Sequence, residues 1–206
     1  MARSLAKDHD QKRQSILKVA AGFFAQKGYD RSSMNDLAQA CGVSKALIYH
    51  YHDSKEALLF DILFNHFDQI ITAINDVDLT QTADAVLRAR VNALLTSYRG
   101  ADDEHRLQLS AMDALPQDQY QQLTAMQRQI VKVFADDIIR INPAFAKDKE
   151  ALLTPVTMSL FGMLNWFYMW YQPRDDHTAR RGITRAEYAN LATDILLGGL
   201  DRIQKM

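Results

Sequence analysis

Apolar residues along this chain return every three to four positions, and no run alternates as a β-strand would. Residues 11–27 place Ile16, Ala20, Phe23 and Phe24 on one helical stripe that ends at Gly28, a natural C-cap. Ser33-Met-Asn-Asp36 reads as a capping-box start for a second short helix, which Gly42 ends. Ser44 is a good N-cap for a third. Asp53-Ser-Lys-Glu56 opens a long helix whose stripe runs from Leu58 through Ile62, Phe67 and Ile70 to Ile74. Further helices are expected at about 80–99, 104–114, 117–141, 148–171 and 184–204, separated by breaks at Gly100, Pro116, Asn142-Pro143 and Gln172–Asp176. The expected architecture is all-α, with three short helices followed by six longer ones and no internal repeat.

The third helix carries an unusual division. At about 100° per residue, Lys45, Ala46, Tyr49 and His50 fall within one arc of roughly 140°, and Leu47, Ile48 and Tyr51 fall opposite. The second set can anchor to a core. The first mixes a cation, a small residue, a phenol and an imidazole, which is surface chemistry suited to a major groove. Two short helices joined by a tight glycine turn make a helix-turn-helix pattern, with Ala38 small at the crossing and Val43 plugging the junction. Helix starts near Ser33 and Lys55 would suit phosphate oxygens. A three-helix cap with a merely solvated polar face fits the same periodicity.

Charge adds modest support. Residues 1–56 hold nine Lys/Arg against six Asp/Glu, while residues 57–206 hold fifteen against nineteen. A basic front on an acidic body favours a polyanionic partner for the front. The 206 residues, 48% hydrophobic and 24% charged, suit one large domain or one small plus one medium. The single cysteine, Cys41, excludes an internal disulfide framework or multi-cysteine zinc site and fits a reducing, cytoplasmic setting. The N-terminal stretch lacks the apolar segment of a secretory signal. Residues 151–171 are uncharged and long enough to span a bilayer, but Pro155, Asn165 and two tyrosines interrupt them. Burial in protein or at a subunit interface is the better reading, with no membrane partner.

From Gly28-Tyr29 through Ser33, Cys41-Gly-Val-Ser44-Lys45, Tyr49-His50-Tyr51 and Ser54-Lys55-Glu56, the sequence closely resembles the DNA-binding domain of the TetR family of bacterial transcriptional regulators. The resemblance covers roughly residues 10–60. It implies a helix-turn-helix DNA-binding domain over residues 10–56, with the motif at about 33–52, and a ligand-binding and dimerisation domain over 57–206. It also implies that Ser33 and Lys55 meet phosphates while Lys45, Ala46, Tyr49 and His50 face a pseudopalindromic double-stranded operator, with Ser44 among the DNA-binding residues. A homodimer would set two such helices in successive major grooves. The chain departs at His52, where the family commonly has a Phe packed under the recognition helix, and some loosening of the domain is expected there.

No catalytic pattern competes. The six histidines form no HExxH, and no phosphate loop or nucleophile elbow occurs, so no enzyme, metal or cofactor is expected. Residues 160–171 are apolar around their circumference, and Leu191, Ile195, Gly198-Gly199 and Leu200 form a stripe with small residues. Both suit a four-helix dimer interface. The segment Phe161-Gly-Met-Leu-Asn-Trp166 through Pro173 also resembles one in TetR-family regulators of fatty-acid, steroid and aromatic-acid catabolism that sense acyl-CoA thioesters. That implies an apolar tunnel with Met112, Phe134, Met163 and Trp166 as wall candidates and Asn165 as a further ligand-binding candidate. Arg88, Arg99 and Arg106, together with Arg90, would meet the CoA phosphates. The rival effector is a drug-like molecule or other metabolite acting on a repressor of an efflux pump, and a drug site would bury carboxylates.

Overall fold

A computed structural model of the chain describes residues 2–147, 149–170 and 183–204. Among them are nine α-helices and no strand. These are α1 (Ala2–Lys27), α2 (Met34–Ala40), α3 (Lys45–Tyr51), α4 (Lys55–Asn75), α5 (Ala83–Ser97), α6 (Asp102–Ser110), α7 (Gln117–Ile141), α8 (Glu150–Trp170) and α9 (Arg185–Gln204). Short 3-10 turns follow α6 at Met112–Ala114 and α7 at Pro143–Ala146. Tyr171 and the expected break over Gln172–Asp176 lie outside the described residues.

Three boundaries differ from expectation for local reasons. α1 begins at Ala2 rather than near residue 11, because helix formers without an apolar stripe still extend a helix already nucleated downstream. α4 starts one residue later than the Asp53 box implied: Ser54 accepts the Ala57 N–H at 3.0 Å and is the cap. α6 stops at Ser110 instead of about 114, with Met112–Ala114 tightening into a 3-10 turn, so it is not one of the longer helices.

The chain forms two compact units. The first comprises residues 1–68 with 100–125. Its core is built by Ile16, Leu17, Ala20 and Phe24 of α1, Leu37 of α2, Ile48 of α3 and Leu58, Leu59, Ile62, Leu63 and Phe67 of α4. α1 packs closely on α6, where Lys18 donates to Glu104 at 2.8 Å and to the Gly100 carbonyl. Gly22 leaves room for Asp103, whose carboxylate would stand 3.2 Å from an added Cβ.

The second unit comprises residues 69–99 with 126–206. Here α9 packs along α5 and against α8. Val86, Val91, Leu94, Phe134, Ile138, Phe145, Leu160, Leu164, Ala192 and Leu200 fill it. The Phe134 and Phe161 rings meet edge to face at 5.2 Å. A buried ion pair lies within: the Arg90 guanidinium donates to Asp137 at 2.6 Å and to the Ile74 carbonyl at 3.1 Å. By length and composition α4 alone among the described residues could cross a membrane. Leu58, Leu59, Ile62, Leu63, Phe67, Ile70 and Ile74 spend that apolar character on the protein's own cores.

Candidate nucleic-acid interface

The turn between α2 and α3 is a complete Schellman motif. Gly42 adopts φ +64°, its N–H donates to the Gln39 carbonyl at 3.0 Å, and the Val43 N–H reaches back to Ala38 at 3.0 Å. Ser44 then caps α3 by accepting the Leu47 N–H at 3.2 Å. Ser33 does the same for α2 with the Asp36 N–H, also at 3.2 Å. A capping serine uses a lone pair and keeps its O–H for another acceptor. Both serines are exposed, so each can still donate to a phosphate oxygen.

On α3 the division expected from the sequence is present. Ile48 is wholly buried, and Leu47 and Tyr51 are half-buried on its side. Lys45, Ala46, Tyr49 and His50 are exposed together, with Tyr49 41% accessible. The Lys45 ammonium lies over the Tyr49 ring at 5.5 Å, one turn away. The His50 ring stands edge-on to Tyr51 at 5.3 Å. No acidic residue occurs in the first turn of α3, so its cation and free N–H groups act unopposed.

Lys55 behaves differently from the expectation of a cation presented to phosphate. Its ammonium donates to the carbonyls of Tyr29 at 3.1 Å and Ser32 at 3.3 Å and lies 4.2 Å from the Tyr29 ring centre. Two of its three donors therefore brace the α1–α2 turn, and one remains for an anion. Nearby, Lys27 pairs with Asp36 at 2.6 Å, and that pairing holds the Asp36 carboxyl below its ordinary range.

The sequence alone did not reveal what lies behind this face. His52 is 2% exposed, and its Nδ1 stands 3.1 Å from Asp61 Oδ2, which also accepts from Arg13 at 2.7 Å. Burial raises the Asp61 carboxyl, but the His52 and Arg13 contacts outweigh it and leave the group below its usual range. His52 stands where the family commonly has a Phe packed under the recognition helix. Its partner is nine residues away, in the second turn of α4 rather than in α3, and no local pattern announces it.

The expected effector residues are dispersed. Arg106 and Met112 belong to the first unit; Arg88, Arg99, Phe134, Met163, Asn165 and Trp166 belong to the second. Arg88 is committed to α9, donating to Asp194 at 2.5 Å and to Asn190. Arg90 is buried against Asp137, whose carboxyl is raised by burial despite that pairing. Only Arg99 and Arg106 stay exposed as expected of cations awaiting a phosphate. Phe134 and Met112 are buried, and Met163 is half-buried. Asn165 accepts from the Tyr98 hydroxyl at 2.9 Å, and burial raises that phenol above its ordinary range. Trp166 is 60% exposed. It lies with Pro155, Met158, Gly162, Met169 and Trp170 in an arc of about 120° on α8.

Comparison with known proteins agrees with this geometry. Residues 16–62 match the family described as bacterial regulatory proteins, tetR family, and residues 80–200 match the tetracyclin repressor-like C-terminal domain. The crystal structure of a TetR-family transcriptional regulator from Bordetella parapertussis 12822 is 32% identical and superposes with a TM-score of 0.80, over 90% of this chain and 93% of that one. The transcriptional repressor KstR2 of Rhodococcus jostii is 32% identical over 118 residues, 57% of this chain and 54% of the relative. This chain thus spans about half the length of that curated relative. AibR, solved in complex with isovaleryl coenzyme A and operator DNA, shares the fold with a TM-score of 0.71 at 23% identity, over 90% of this chain and 98% of AibR. With both of its parts matched, and with a helix-turn-helix followed by a helical C-terminal domain, the chain belongs to the TetR family of bacterial regulatory proteins.

Proposed function

We propose that this protein is a ligand-responsive transcriptional regulator, a homodimeric repressor that leaves its operator when a small effector binds. The observation that carries the reading is the exposed quartet Lys45, Ala46, Tyr49 and His50, backed by wholly buried Ile48. A helix so anchored presents that quartet to base edges in a major groove, with Ser33, Ser44 and the remaining Lys55 donor toward phosphates. The domains assigned are residues 10–56 for DNA and 57–206 for effector and dimer.

The second copy is called for by apolar surface. Beside the α8 arc, Leu191, Ile195, Gly198 and Gly199 share one exposed side of α9. An added Cβ at Gly162, Gly198 or Gly199 would meet nothing within 4 Å, so small residues there serve a close approach from outside the subunit. A stripe this apolar is costly to leave in water.

For the effector we favour an acyl-CoA thioester. Its support is the Phe161–Trp166 segment, the exposed Arg99 and Arg106, and the fold shared with AibR, which binds isovaleryl coenzyme A. A drug-sensing repressor of an efflux pump is the alternative. Asp137 is the observation in its favour, being buried with Oδ2 unpaired among the described residues, although Arg90 already neutralises it.

Selection from a random duplex library tests the core reading. Wild-type protein should enrich a pseudopalindrome with half-sites about 34 Å apart. Y49A or K45A should weaken that site by about 1–3 kcal/mol if either side chain reads a base. Equal binding by both variants would reject the recognition face.

A further inference from the structure

Lys55 opens α4 and is half-buried, not extended into solvent. Its ammonium donates to the Tyr29 carbonyl at 3.1 Å and the Ser32 carbonyl at 3.3 Å, with the Tyr29 ring centre 4.2 Å away. Holding so long a side chain in one place costs rotamer freedom, which a role as a surface charge would not require. The gripped segment is the turn over residues 28–33, between α1 and α2. Within it, Gly28 donates to the Phe24 carbonyl at 2.9 Å, the Ser32 hydroxyl donates to the Gly28 carbonyl at 2.7 Å, and the Ser32 N–H reaches the Tyr29 carbonyl at 3.0 Å. Those bonds fold the turn on itself and onto α1. Lys55 ties it to α4.

The Ser32 carbonyl belongs to the same planar peptide unit as the Ser33 nitrogen. Fixing that oxygen fixes the plane from which Ser33 departs at φ −117°, and Ser33 is the cap of α2. Its hydroxyl accepts the Asp36 N–H at 3.2 Å, and its carbonyl accepts the Leu37 N–H at 3.0 Å. The seven residues of α2 are too few to hold that end by propensity alone. Resting on the reading of Ser33 as a phosphate contact, we infer that Lys55 is a positioning residue for the Ser33 hydroxyl. Beyond the donor it keeps for an anion, it holds the Ser32–Ser33 peptide, and most of its effect on DNA affinity passes through Ser33. Two separate phosphate contacts would act independently, whereas a support and the group it supports are coupled.

The test is a double-mutant cycle on the full-length protein. Affinity is read on a duplex of random sequence, because phosphate contacts are blind to the bases, and hydrogen exchange of the Asp36 and Leu37 amides is read without DNA. Lys55→Met keeps the stem and loses the donors, and Ser33→Ala loses the hydroxyl. Each should lower affinity about tenfold, and the double variant should lose little more than either alone, well short of the roughly hundredfold of independent contacts. K55M should speed exchange at Asp36 and Leu37 while the amides of α1 and α4 keep their protection. Lys55→Arg, which retains charge and donors, should restore both readouts. Lys55→Gln, with a neutral amide in place of the ammonium, should fall between K55M and wild type and covers the case in which K55M folds poorly. Additive losses in the double variant, or wild-type exchange at Asp36 and Leu37 in K55M and K55Q, would overturn the inference and leave Lys55 a direct phosphate contact. So would lost protection along α1 and α4 in step with lowered thermal stability, which marks a purely structural role. If wild-type protein binds no duplex, the operator reading falls by itself, and exchange at Asp36 and Leu37 still decides whether Lys55 positions Ser33.

Discussion

His66 on α4 and His105 on α6 are buried in the first unit, 3% and 2% exposed. Burial first, then the nearby His105 and Lys18 charges, pushes the His66 imidazole down to about 4. A folded-state value below the ordinary 6.5 means that the native protein binds fewer protons than the unfolded chain between those two pH values. Stability should therefore fall as pH drops from about 6.5 toward 4, by about 3 kcal/mol from this group if fully expressed. Urea unfolding of wild type and His66→Gln at pH 7, 5.5 and 4.5 checks it: the variant should lose much of the slope, and identical slopes would refute the assignment. Sequence alone showed six histidines with no catalytic spacing. It could not show which were buried, because burial is set by α1, α4 and α6 meeting from distant parts of the chain. Arg88 and Trp166 carry the same lesson. Their residue types suit phosphates and acyl chains, but Arg88 faces α9 and Trp166 faces outward, directions fixed by helix rotation in the packed unit.

Short helices are the elements most dependent on their ends. α3 has seven residues, too few to be stable alone, so Ser44 and the Gly42 turn carry much of its local stability. Ser44→Ala should cost about 1 kcal/mol through the lost Leu47 N–H partner. Gly42→Ala should cost about 1–2 kcal/mol through its φ of +64°, although the space around its Cβ is open. Chemical denaturation measures both, and a neutral Gly42→Ala would mean that the turn relaxes. These features were legible beforehand because a cap, a glycine and a stripe all act within a few residues. The extra nine residues of α1 and the early end of α6 were not. Neither depends on an apolar period: α1 grows by propensity, and α6 gives way to a 3-10 turn.

At the scale of the molecule, the proposed dimer and effector are linked, because a ligand would act only by preferring one arrangement of two recognition helices. Gly199→Arg places a charged, bulky side chain on the exposed α9 stripe, where an added Cβ would meet nothing within 4 Å among the described residues. Sedimentation should then show 23.5 kDa monomers where wild type shows dimers, with thermal stability of the subunit retained; a persisting dimer would move the interface elsewhere. Operator affinity should fall with dimerisation, since each half-site contributes only part of the contact. The effector prediction follows on wild-type dimer. Titration with a panel of acyl-CoA thioesters should give saturable binding that competes with operator DNA, and the matching free acids should bind far more weakly because they lack the phosphates. Arg99→Glu and Arg106→Glu should each weaken the thioester and leave operator affinity intact, whereas Arg88→Ala should act mainly on stability through its lost Asp194 and Asn190 contacts. The two glutamate variants also separate the readings of the acyl end. If thioester binding survives both, the phosphates are met elsewhere while the acyl-CoA assignment stands. If hydrophobic cations bind, Asp137→Asn abolishes that binding, and no thioester responds, the buried carboxylate is the anchor and the protein is a drug sensor.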